Sequence, residues 1–131
     1  METKFIKNIH DREVEEIRIK SKKNRIELYF EQVGREKEWL TFHDVFDANL
    51  IGIYNQNVLF EISEEPIERF RINNDVEWEI RKKGLFEQFG TLTDYNKNLN
   101  ENEYKAFGIV ASLGLNGWII CKNVVQYKEK N

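Results

Sequence analysis

Residues 14–30 read VEEIRIKSKKNRIELYF. Ile17 and Ile19 share one parity, Ile26, Leu28 and Phe30 share another, and the polar run SKKN lies between them. A two-residue rhythm of apolar and polar side chains is that of a strand with one buried and one wet face, so this stretch predicts a β-hairpin. The reading extends outward in both directions. Gln32 to Lys37, with Gly34, is the next turn, and Trp39 to Val45 alternates Leu40 and Phe42 with Thr41 and His43. That makes a third strand, antiparallel to the second because the connection is short.

Further along, Asn49 to Ile53 and Val58 to Ile62 flank Tyr54-Asn55-Gln56-Asn57, whose asparagines suit turn conformations. The expectation is a second hairpin. Ser63-Glu64-Glu65-Pro66 has the hydroxyl, early acids and proline of a short helix start. Val76, Trp78 and Ile80 alternate as a strand ending at Gly84, Leu85 to Phe89 suits one helical turn, and TLTDYNKNLNENE reads as a polar, mobile loop. Phe107 to Ser112 and Trp118 to Tyr127 read as two closing strands around Gly114-Leu115-Asn116-Gly117.

About eight short strands with one or two short helices imply a mainly β fold, an antiparallel sandwich or partly open barrel. The alternative is an α+β arrangement with the antiparallel sheet packed on one helix. The expected core is Ile17, Ile19, Ile26, Leu28, Phe30, Leu40, Phe42, Val58, Phe60, Ile62, Trp78, Ile80, Phe107, Ile109, Trp118 and Ile120. With 131 residues the chain has material for one core, so residues 1–131 form a single domain. A composition 40% hydrophobic and 33% charged is that of a folded globular chain.

The N-terminus METKFIKNIHD lacks the apolar centre of a secretory signal, and the most apolar stretch, FGIVASLGLNGWIIC, is broken by glycines and falls short of a membrane span. The lone Cys121 forms no internal disulfide. These features together predict a cytoplasmic protein.

The formal charge of −3 is too small for a strong long-range field, but the charges are unevenly placed. RIKSKKNR, residues 18–25, holds five cations and no acid, whereas residues 61–79 hold seven acids against Arg69 and Arg71. The cations crowd one hairpin tip without interleaved stacking aromatics, which argues against nucleic acid. The acidic band suits a basic protein partner. Trp39, of opposite parity to Leu40 and Phe42, is the tryptophan that points away from the core. Trp39, Glu64, Glu65 and Glu68 are therefore the candidate partner-binding residues.

Catalytic signals are weak. The two histidines stand in matching dipeptides, His10-Asp11 and His43-Asp44, and a metal-dependent hydrolase using His10 and His43 is the enzymatic alternative. Neighbouring strand residues point to opposite faces, so one such dipeptide chelates poorly, and the aspartates read better as acceptors in turns. Cys121 sits in the alternating run WIICKN and reads as a small core residue. No serine elbow and no phosphate-cradling glycine loop occurs. No catalytic residue, metal ligand or cofactor site is assigned.

The pattern Ile9-His10-Asp11, Val14, Ile17, Ile19, then Ile26-Leu28-Phe30, Leu40-Thr41-Phe42 and Val45, with the closing Gly-Leu-Asn-Gly-Trp-Ile-Ile-Cys, resembles small bacterial β-rich proteins. Some of those are grouped with immunity proteins of polymorphic toxin systems. The resemblance covers about half the chain. It implies a non-enzymatic, cytoplasmic binding role and carries over no catalytic residue; the mechanism expected from the charges is occlusion, the acidic surface around Trp39, Glu64, Glu65 and Glu68 covering a basic active site on the partner. A structural or self-associating role through an exposed strand edge is the remaining alternative.

Overall fold

The computed structural model of the chain describes residues 4–67 and 92–130. The alternation at 14–30 forms the expected hairpin. β1 (Lys4–Phe5) comes first, and β2 (Val14–Lys20) pairs antiparallel with β3 (Arg25–Phe30), Ile17 opposite Leu28. Ser21–Lys23 make one exposed turn at the tip, which Asn24 closes in the left-handed region at φ 53°. β3 pairs with β4 (Glu36–His43), also antiparallel as expected.

The remaining strands are β5 (Asp47–Ile51), β6 (Val58–Glu65), β7 (Lys105–Leu113), β8 (Asn116–Cys121) and β9 (Asn123–Lys130). They build two antiparallel sheets. One has the order β1-β6-β7-β8-β5 and the other β2-β3-β4-β9. The fold is thus a mainly β sandwich, not a closed barrel. Between the sheets lie Leu28, Leu40, Phe42, Leu59, Ile62, Phe107, Ile109, Ile119 and Cys121, among others, all buried.

Several expectations are corrected. β5 and β6 do not form a hairpin: β5 pairs with β8, and β6 runs between β1 and β7. The connecting Asn57 instead bonds across to the β7–β8 turn, through Leu115 N to its Oδ1 at 3.0 Å. Ser63, Glu64 and Glu65 belong to β6, and helical backbone is reached only at Ile67. The stretch Trp118 to Tyr127 is two strands. β8 lies in the five-stranded sheet and β9 in the four-stranded one, with the chain crossing between them at Lys122. The polar segment after Thr91 is a helix, α1 (Leu92–Glu101), not a loop. The proposed strand Val76 to Ile80 and the turn Leu85 to Phe89 lie outside the described residues.

The core also differs from parity alone. A bulge in β6 leaves Phe60 without a partner on β7, so Leu59 and Ile62, three apart, both point inward while Phe60 is 47% exposed. Ile19 is 65% exposed because it projects beyond the sandwich at the hairpin tip. Trp118 and Ile120 are buried, but on the outer face of the five-stranded sheet, with Ile67, Leu99 of α1 and Ala106. That sheet is thus covered on its outer face around β8, while Phe60 and Val110 stay exposed.

Candidate functional site

The alternation that sends Leu28, Leu40 and Phe42 into the core sends Tyr29, Trp39 and Thr41 to the opposite, outer face of the four-stranded sheet. Register then aligns three rings: Tyr29 is the cross-strand partner of Trp39, and Trp39 of Tyr127. Adjacent strands lie about 4.8 Å apart, so rings standing off neighbouring strands stack. The Tyr29 and Trp39 centroids are 5.5 Å apart at 18° between planes, and those of Trp39 and Tyr127 are 5.3 Å apart at 15°.

Both ends of the ladder are polar. Arg18 of β2 lays its guanidinium 4.2 Å from the Tyr29 ring centre and donates to the Tyr29 hydroxyl at 3.2 Å. Glu16 holds that guanidinium in place, accepting from Nε at 2.6 Å and from Nη2 at 3.2 Å. This hydrogen bonding keeps the Glu16 carboxyl below its ordinary range and raises the Arg18 guanidinium above its own. At the other end the Tyr127 hydroxyl lies 3.3 Å from His43 Nε2. The Lys37 ammonium reaches over Tyr29 at 5.2 Å.

Glu27, beside the ladder, is buried and anchored by Lys20 at 2.9 Å and by the Thr41 hydroxyl at 3.3 Å. Burial pushes its carboxyl up, and the bonds and charges of Lys20, Thr41 and Arg18 more than reverse that, leaving it below the ordinary range. The row is graded in exposure: Tyr29 is buried beneath Arg18 and Lys37, Trp39 is half-buried, and Tyr127 is exposed.

Of the residues expected from sequence, Trp39 lies at the centre of this row, half-buried between two tyrosines. Glu64 and Glu65 do not join it. They belong to β6 of the other sheet, where Glu64 is 3.7 Å from Lys105 and Glu65 accepts from the Ser63 hydroxyl at 3.3 Å. Glu68 lies outside the described residues. Sequence reasoning missed Tyr29, although its parity against Leu28 and Phe30 is the same signal that singled out Trp39. Tyr127 was hidden because β8 and β9 read as one strand.

The histidines stand apart in their surroundings. His10 Nδ1 is 3.2 Å from Asp11 Oδ2 and its ring meets Phe60 edge-on, in a turn where Asp11 has φ 63° and donates its backbone N–H to Leu59 O. His43 ends β4 and faces Tyr127. Among the described residues, no three of His, Cys, Asp and Glu stand close enough to hold a metal ion. Asp47 accepts from the Ala48 N–H at 2.8 Å, a local backbone role. Cys121 is fully buried; burial, reinforced by the Asp44 charge, pushes its thiol up to about 12. Such a thiol is protonated at neutral pH and inert as a nucleophile.

No family model matches the chain, and neither does any curated protein or solved structure.

Proposed function

We propose that this chain is a non-catalytic protein-binding module that meets its partner with the outer face of the four-stranded sheet. The observation behind this reading is the in-register ladder Tyr29–Trp39–Tyr127, backed by Arg18. Trp, Tyr and Arg are the residue types that dominate binding energy at interfaces. Stacked on one another, these side chains have little freedom left to lose on binding, which lowers the entropic cost of association.

Much of the charge on this face is paired, Glu16 with Arg18 and Lys20 with Glu27, and Lys37 lies over the rings themselves. The contact therefore rests on shape and aromatic area, and the partner need not be basic. In this reading the ladder, with Trp39 at its centre, is the occluding surface, and Glu64 and Glu65 lie on the other sheet. In the immunity-type form of this reading, suggested by the sequence resemblance, the face covers the active site of a toxin-like enzyme.

The test is capture from the source cells with the native chain, Trp39→Ala and Tyr127→Ala in parallel, quantified by mass spectrometry. A partner retained by the native chain should be lost from both variants, since removing a central aromatic anchor costs about 2 kcal/mol or more. Far-UV circular dichroism should be the same for all three. A partner held equally by all three removes the ladder from the interface.

A further inference from the structure

Sheet edges expose unpaired backbone, and proteins guard them with charge, brevity or bulges. Among the described residues, three of the four sheet edges are guarded. β1 is two residues long, β2 carries Glu15, Glu16, Arg18 and Lys20, and β9 carries Lys128 and Glu129. β5 is not: its sequence is DANLI, with Asp47 as its sole charge, and among the described residues it pairs only with β8.

The ground beside β5 is largely apolar, with Arg25 and Asp47 as its charged members. An open groove of about 480 Å³ runs between it and the tip of the β2–β3 hairpin, lined by Ile19, Ile26, Val45, Leu50 and Ile53. Ile19, Ile51 and Ile53 are 65%, 58% and 56% exposed.

We infer that β5 is a self-association edge, and that its occupant is β5 of a second copy of this chain, paired antiparallel about a two-fold axis at Asn49. Charge and size both suit this register. Asp47 of each copy falls opposite Ile51 of the other, so the two aspartates stay four positions apart and no like charges meet. On the inward side Ala48 and Leu50, which pack on the core, alternate small against large across the axis. The extra strand also roofs the groove and covers Ile51 and Ile53. The other charged edges offer no such neutral match. The ladder lies on the outer face of the other sheet, so this association is separate from the proposed partner contact.

Sedimentation equilibrium of the full chain tests the inference. The mass should rise from 15.8 kDa toward twice that value as concentration increases from about 5 to about 500 µM. Position 51 reads the register, because its side chain is exposed and tolerates charge without unfolding. Ile51→Glu sets a second carboxylate against Asp47 of the other copy and should weaken association roughly tenfold; Ile51→Lys creates an opposite-charge pair and should keep it within about twofold. Trp39→Ala should associate like the native chain. A mass fixed at the monomer, equal effects of Glu and Lys at position 51, or loss of association in Trp39→Ala would each overturn the inference.

Discussion

Asn57 lies buried where three segments of the chain meet. Its Oδ1 accepts from Tyr54 N at 3.1 Å and Leu115 N at 3.0 Å, its Nδ2 donates to Tyr54 O at 2.8 Å, and its backbone carbonyl accepts from Val14 N at 2.7 Å. One side chain thus fixes the β5–β6 loop and the β7–β8 turn, while its backbone holds the start of β2. Gly114 completes the arrangement: at φ 86° it presents no Cβ, which would strike Asn57 Oδ1 and Gln56 O. Removing the amide strands the N–H of Leu115, a residue with no exposure, and a buried donor without a partner costs about 1–3 kcal/mol. Asn57→Ala should lower unfolding stability in urea by about 2–3 kcal/mol. The exposed neighbour Asn55→Ala should change it by less than about 0.5 kcal/mol, so equal effects at the two positions would remove the bridging role.

At the scale of elements, α1 shows why a polar segment folds as a helix. Its C-terminus is closed by two bonds, Tyr104 N to Leu99 O at 3.0 Å and Glu103 N to Asn100 O at 3.1 Å, with Glu103 left-handed at φ 62°. This is the Schellman arrangement, and its usual apolar contact is present, since Tyr104 packs with the cluster that buries Leu99. Glycine normally fills the left-handed position, and a side chain there carries strain. Glu103→Gly should therefore raise stability by about 0.5–1 kcal/mol, read as a higher melting temperature; an unchanged or lower value would mean that the glutamate makes a compensating contact. The missing glycine also explains the sequence reading. Without it, and with three asparagines between Asn96 and Asn100, nothing marks 92–101 as a helix except the spacing of Leu92, Tyr95 and Leu99. Local rhythm was enough for β2, β3, β4 and the β7–β8 turn, whose partners are neighbours in sequence. It was not enough for β5, whose partner β8 lies beyond α1, or for the join of β8 and β9, where only the short polar pair Lys122-Asn123 marks the change of sheet between two apolar runs. The ladder was half legible for the same reason. Parity isolates Trp39, but only long-range register brings Tyr127 beside it.

For the whole molecule, the decisive feature is that β8 serves two clusters. Ile119 and Cys121 point into the sandwich, while Trp118 and Ile120 point outward to Leu99 and Ile67. The strand cannot leave one cluster without leaving the other, so the helix-covered face and the sandwich should open as one cooperative unit. Cys121 supplies the probe. It is fully buried and its thiol is pushed up to about 12, so a disulfide reagent at mildly alkaline pH reacts only after opening, at a rate set by the open population when closing is fast. Leu99→Ala leaves a cavity in the outer cluster and should cost about 3 kcal/mol, roughly a hundredfold in the folding equilibrium. The Cys121 thiol is in the other cluster, yet its labelling should accelerate by that same factor. If urea unfolding shows the loss while Cys121 labelling keeps its native rate, α1 opens independently and the sandwich stands without it.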